Sequence, residues 1–298
     1  MNLAYHFLRY CLCVLSWPPL SWARAAGRFL GRLGYKLDAR HRQIVTENLR
    51  ASFPDKDEAW VLATARACYE HLGQVLAEMP HLFRLSPEKI AERVRWHGWD
   101  VADEIRARKM GVILLTGHLG NWEWVSLAAG QGYGGGYVVA RPLDWPPAQR
   151  LVDELRTKTG HVVLDKAKSG RRILTALRRQ GEVGILLDQN VDWYDGVWVD
   201  FFGRPACTNK GLALLALATE APVILFYGHR APDGCFDLYL GPEIPLVRTG
   251  DKTKDVWQNT QNYTKALEDA IRKCPEQWFW LHQRWKTKPY HPWPREKA

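Results

Sequence analysis

Gly117-His118-Leu119-Gly120-Asn121-Trp122-Glu123 follows the apolar run Val112-Ile113-Leu114-Leu115, and these residues together decide the fold. The run has the length and composition of a buried strand. Two glycines permit a tight turn after it, and Asn121 is a good helix N-cap. The strand, turn and helix deliver a histidine and a carboxylate to a strand's carboxyl end, where open α/β sheets hold their chemistry. On one continuous helix, residues five apart diverge by about 140° at about 3.6 residues per turn. His118 and Glu123 therefore meet only if the chain bends, and Gly120 makes that bend possible. A carboxylate on one imidazole nitrogen would fix the tautomer and leave the other nitrogen as a general base.

The pattern alternates on the carboxyl side of this motif. Strands are predicted at 111–116, 136–140, 161–164 and 183–187, with helices at 121–130, 146–159 and 169–179. A loop rich in Trp and Asp precedes a helix at 208–219, strands at 222–228 and 235–240, and a helix at 253–273. On the amino side, helices are predicted at 38–52, 57–79, 86–93 and 100–108. The aromatic tail fits both helical and strand spacing and is expected to pack. The fold class is α/β, with a mostly parallel central sheet flanked by helices and an N-terminal helical, membrane-proximal segment. Nothing resembles a linker or repeat, so residues 1–35 are expected to be an anchoring segment and 36–298 a single α/β domain.

Of the net charge of +9, residues 1–50 hold a surplus of six, with eight Lys/Arg against two acids. Arg24, Arg28, Arg32 and Lys36 recur every fourth residue, which lines one face of a helix. Phe29, Leu30, Leu33 and Leu37 supply apolar bulk on other faces. This basic amphipathic segment beside an apolar N-terminus suggests contact with an anionic membrane surface. No helix-turn-helix, zinc finger or RNP-like pattern supports a nucleic-acid partner. His6, Arg9 and Pro18-Pro19 interrupt the apolar N-terminus, which favours an uncleaved, shallow or marginally spanning anchor. A cleaved signal peptide, with Ala23-Arg24-Ala25 at its site, is the alternative. Gly27 and Gly31 are spaced for close helix approach. The six scattered cysteines suit unbridged thiols in a reducing compartment.

The His-x4-Glu pair alone is a weak signal. No third ligand at a recognised spacing makes it a metal site, no Gly-x-Ser-x-Gly elbow makes a serine hydrolase, and the glycines at 132–136 lack a phosphate loop's Lys-Ser/Thr ending. Other strand ends carry polar groups: Arg141, Asp188-Gln189-Asn190, and Arg204 beyond Phe201-Phe202-Gly203. Several such ends outside one sheet edge suggest a cleft.

Thr116-Gly-His-Leu-Gly-Asn-Trp-Glu123 resembles the signature of the lipid A biosynthesis (lauroyl/myristoyl) acyltransferases, within the lysophospholipid acyltransferase-like superfamily. RQIVTENLRASFP at 42–54, Asp188-Gln189, Phe201-Phe202-Gly203-Arg204-Pro205 and PEQWFWLHQRW at 275–285 resemble its other blocks in order, over nearly the whole chain. The resemblance implies that His118 is the base and Glu123 its partner. It implies an acyl thioester donor on acyl carrier protein or coenzyme A, a glycolipid hydroxyl as acceptor, and work at the cytoplasmic face of the inner (plasma) membrane. The thioester is already activated, so direct attack with neither serine intermediate nor cofactor is expected. Arg141 and the amides near Asn121 are candidate oxyanion donors, Asp188 and Gln189 candidate positioning residues, and Arg204 a candidate phosphate contact. Phe201 and Phe202 are expected to line an acyl channel. A different lipid acceptor (phospholipid, mannosylated or ornithine lipid) and a catalytically silent membrane-binding homologue are the competing readings.

Overall fold

The computed structural model describes residues 3–165 and 169–289, so the outer ends of the two expected segments, 1–2 and 290–298, lie outside the described residues. Two helices, α1 (Leu3–Leu15) and α2 (Leu20–Leu37), are separated at Pro18-Pro19. Proline lacks an amide donor and holds its own φ, which ends the first helix and starts the second. Helix α3 (Ala39–Ser52) is capped by Asp38, whose side chain accepts from the His41 amide. Helix α4 (Glu58–Arg84) is capped by Asp57, which accepts from the Trp60 amide. There follow α5 (Pro87–Ala91), β1 (Val94–His97), α6 (Trp99–Ala107), β2 (Val112–Thr116), α7 (Trp122–Tyr133), β3 (Tyr137–Ala140) and α8 (Pro146–Thr157). Next come β4 (Val162–Asp165), α9 (Gly170–Arg178), β5 (Glu182–Leu186), β6 (Gly196–Phe201), β7 (Arg204–Asn209) and α10 (Gly211–Thr219). Strands β8 (Val223–Arg230) and β9 (Phe236–Ile244) and helix α11 (Lys252–Lys273) lead to a short 3-10 turn at Pro275–Gln277.

Seven strands form one sheet in the order β1-β9-β8-β2-β5-β3-β4, in which β8–β9 is antiparallel and the other described pairs are parallel. The α/β class and the mostly parallel sheet thus match the sequence expectation. Both faces are covered. In β2, Val112 and Leu114 point into a core shared with α5, α6 and α7, while Ile113 and Leu115 point into one shared with α9, α10 and α11. Burying each such aliphatic side chain contributes about 1.5–3 kcal/mol. A third cluster joins α3 and α4 to the C-terminal tryptophans Trp278, Trp280 and Trp285.

Two elements depart from the expectation. Strand β1 is only four residues long with alternate residues exposed, too weak a pattern to distinguish from a connector. The Trp- and Asp-rich loop contains the hairpin β6–β7, turned by Phe202 and Gly203, both at positive φ. A buried carboxylate stabilises that turn: the Phe202 amide donates to Glu268 at 2.7 Å.

Helix α2 lies directly on α4. Gly27 and Gly31 are buried there, and a Cβ on Gly27 would sit 2.4 Å from the Gly73 carbonyl oxygen. Their spacing therefore serves packing within the chain. This contact turns Arg24 inward, where its Nε donates to Glu78 at 2.5 Å. Arg24 is accordingly removed from the expected membrane-contact set. Arg32 pairs with Glu70 at 2.8 Å, while Arg28 and Lys36 are exposed. Large apolar side chains face outward beside them: Trp22 is 72% exposed, Phe29 65% and, on α1, Phe7 64%. Among the described residues, no helix is long and apolar enough to cross a membrane.

Candidate active site

Strand β2 ends at Thr116, which lies opposite Leu186 of β5 in a parallel register. Residues two positions further along each strand therefore stand level, and these are His118 and Asp188. His118 Nδ1 lies 2.9 Å from Asp188 Oδ1. An ionised carboxylate only accepts, so Nδ1 carries the proton and Nε2 is the nitrogen left to take another. Asp188 is held from two further sides, accepting at Oδ2 from the His118 amide (2.7 Å) and from Trp278 Nε1 (2.8 Å). It is 3% exposed. Burial alone would raise its pKa, but His118 and the donors outweigh it and hold the carboxyl at about 2. Burial likewise opposes charge on His118, yet Asp188, with a smaller contribution from Glu123, raises its pKa above the ordinary value.

Asp188, and not Glu123, is therefore the orienting carboxylate, which corrects the expected dyad. The bend at Gly120 exists, with φ +62° and a position for Cβ only 2.2 Å from the Gly228 carbonyl oxygen. It turns Glu123 toward α8, where Oε1 accepts from Arg156 Nη2 at 2.5 Å. Glu123 and Arg156 both line the cleft beside His118. The orienting partner comes from another strand because the sheet register fixes it, whereas the bend only redirects the helix.

Asn121 is also corrected. It is fully buried, its Oδ1 accepting from the Trp124 amide at 3.1 Å and its Nδ2 donating to Glu78 at 2.7 Å. Both ends of its amide are thus used within the fold, as the cap of α7. The neighbouring Gly120 amide donates to Gln277 O at 2.9 Å, so it is not an idle oxyanion donor. Arg141 is at the cleft rim, largely exposed, with Nη2 3.1 Å from Asp144 Oδ1. Gln189 lines the cleft and is exposed. Arg204 is not among the lining residues: its guanidinium stacks 4.1 Å above the Trp285 ring, so the expected phosphate contact at this site is withdrawn. Phe201 and Phe202 are buried against Trp278 and Trp280 in the third core cluster, so they do not form the channel wall.

The sequence analysis did not anticipate Arg156, Trp122, Phe279 or Glu78. Trp122 meets His118 edge to face with centroids 5.0 Å apart, and the Phe279 amide donates to His118 O at 3.1 Å. The tail thus clamps the His118 turn, through Leu119 and Trp278 as well. The cleft itself measures about 2090 Å³. It opens where β3 leaves β5 after only two paired residues, and its apolar wall includes Leu114, Val125, Val138, Leu186, Leu215 and Phe226. A base at the mouth of a long apolar cleft can deprotonate a nucleophile next to a bound alkyl chain.

The family model for bacterial lipid A biosynthesis acyltransferases matches residues 4–287. The chain belongs to that family. The lipid A biosynthesis lauroyltransferase of Escherichia coli is 28% identical over 267 residues, covering 87% of this chain and 84% of the relative. The myristoyltransferase of the same organism is 37% identical over 268 residues, covering 88% and 79%. The crystal structure of the 1-acyl-sn-glycerophosphate acyltransferase from Thermotoga maritima aligns with a TM-score of 0.41 and 15% identity, over 86% of this chain and 99% of that one. This acyltransferase is therefore of the lipid A biosynthesis type, moving an acyl group from a donor to a lipid A-type glycolipid.

The dyad makes a pH prediction for the acyltransferase. His118 must be neutral to act as a base, so activity falls as pH drops through its raised pKa. In Asp188→Asn the charge that raises the pKa is gone and burial still lowers it. The acidic limb of the kcat/KM profile should shift to lower pH, while the plateau falls on the order of 10²-fold through loss of the correct tautomer. An acidic limb in the same place would show that Asp188 does not set the protonation of His118.

Proposed function

We propose that the protein transfers a fatty acyl group from a thioester, on acyl carrier protein or coenzyme A, to a hydroxyl of a lipid A-type glycolipid, with His118 as general base. The hydrogen-bonded His118–Asp188 pair at the mouth of an apolar cleft carries this reading. A hydroxyl is a poor nucleophile until its proton leaves. As its oxygen bonds to the thioester carbon, Nε2 of His118 takes the proton, and Asp188 stabilises the imidazolium. Collapse of the tetrahedral intermediate breaks the carbon–sulfur bond, and the imidazolium returns the proton to the departing thiolate. No serine intermediate is needed. Arg141 at the rim is the side chain assigned to the developing negative charge on the thioester oxygen, once substrate draws it from Asp144. Glu123 and Arg156 form a fixed ion pair beside the base, and Gln189 is assigned to acceptor positioning.

The exposed apolar residues of α1 and α2, with Arg28 and Lys36 among them, support attachment to an anionic bilayer, which we assign to the cytoplasmic face of the inner membrane. Reconstitution tests both claims. The full chain is mixed with an acyl thioester and a lipid A precursor in anionic vesicles, and products are read by mass spectrometry while flotation reports attachment. The expected result is an added acyl mass on the glycolipid, with attachment weakened by salt in a variant lacking the apolar residues of α1. Acylation of a phospholipid in place of the glycolipid, or no acylation, would overturn the acceptor or the chemistry respectively.

A further inference from the structure

Helix α9 (Gly170–Arg178) buries Ile173, Ala176 and Leu177 and turns Arg171, Arg172 and Arg178 outward, followed by the exposed Arg179. Residues 169–181 contain no acid. None of these four guanidinium groups has an ion pair or hydrogen bond among the described residues. Other exposed arginines differ: Arg32, Arg50, Arg95 and Arg108 each hold a carboxylate. Arg171 and Arg178, like Arg172 and Arg179, are seven residues apart, two turns, so they form two basic ranks about 10 Å apart. At physiological ionic strength the screening length is about 8 Å, so neighbouring charges repel with little relief unless an anionic partner covers them.

The position of this helix defines the partner. It follows β4, so its first turn starts at the sheet edge that carries His118 and Asp188, and Gly170, Ile173 and Leu174 line their cleft. It lies with α10 and α11 on one face of the sheet, while α1 packs on α8, whose Leu155 belongs to the core of the other face. A bilayer resting on α1 and α2 therefore leaves α9 to the aqueous side. We propose that α9 is the docking surface for an acidic, acyl-carrying protein, which presents its thioester to the cleft while the acceptor arrives from the membrane side. The inference rests on the acyl-transfer reading and resolves its donor as protein-borne. An unpaired basic helix beside the cleft speeds encounter with an acidic carrier and gives a small thioester no comparable advantage.

The test compares donors in the vesicle assay, using the full chain and the variant R171E/R172E/R178E/R179E. With acyl carrier protein thioester, kcat/KM should fall by at least about tenfold, mainly through KM, and lose the wild type's decline with salt. With an acyl-pantetheine thioester the variant should match the wild type, which also shows that it is folded. The milder R171Q/R172Q should fall between them on the carrier donor. Equal loss on both donors, or no loss on the carrier, overturns the docking surface. Wild-type activity with acyl-CoA but none with the carrier overturns it while leaving acyl transfer intact. Inactivity with every thioester overturns acyl transfer itself.

Discussion

Replacing His118 with alanine is expected to lower kcat by about 10³-fold while leaving KM for the acyl donor, vesicle attachment and Tm close to wild type. General-base catalysis contributes typically about 10² to 10⁴ in rate. The side chain is suited to that role because Asp188 holds its Nδ1 and Trp278 holds Asp188, leaving Nε2 as the proton acceptor. Truncation removes the base without opening the core, since the imidazole stands at the cleft rather than within a packed cluster. Single-turnover acyl transfer is the decisive measurement. A variant that transfers acyl groups at the wild-type rate would remove His118 from the chemistry. Loss of activity with an equal loss of Tm would make it a structural residue.

The second large effect is on stability. Glu78→Ala should destabilise the fold by about 3–5 kcal/mol, because two inward-turned guanidinium groups lose their shared counterion. Glu78 is fully buried and accepts from Arg24, from Arg230 and from Asn121. Burial would raise its pKa, but Arg230, Arg24 and Asn121 prevail and hold it below the ordinary 4.5. The carboxylate's contribution is therefore present at neutral pH and lost as pH falls through that lowered value. Thermal unfolding should show a drop in Tm on the order of 10 °C. Glu78→Gln, which keeps the shape and one acceptor, should lose less. The same change frees the cap of α7 two residues beyond the His118 turn, so kcat should fall even where the protein remains folded. An unchanged Tm in Glu78→Ala would mean that the network does not support the N-terminal helices or the turn.

These two residues show what could be read from the chain and what could not. His118 was legible because its signals are local: an apolar strand, two glycines and a capping asparagine are adjacent, and each biases the backbone through its own sterics or hydrogen bonding. Strand and helix alternation gave the parallel α/β class for the same reason. Glu78 carried no signal, since a glutamate in the middle of an amphipathic helix ordinarily faces water. Only the Gly27–Gly73 approach of α2 to α4, and the position of Arg230 on β8, enclose it. Phe201 and Phe202 looked like channel lining because composition marks them as buried without saying against what.

By itself, then, the sequence determined the strand–turn–helix, the bend at Gly120 and the identity of the base, all set by neighbours along the chain. Tertiary structure alone decided which carboxylate serves that base. Asp188 is 70 residues from His118 in the chain and level with it in space. The parallel register of β2 and β5 brings them together, and register is a property of two strands that neither strand's residues express alone. Glu123, five residues away, lost that place because the same helix that carries it had to pack its other face against the sheet.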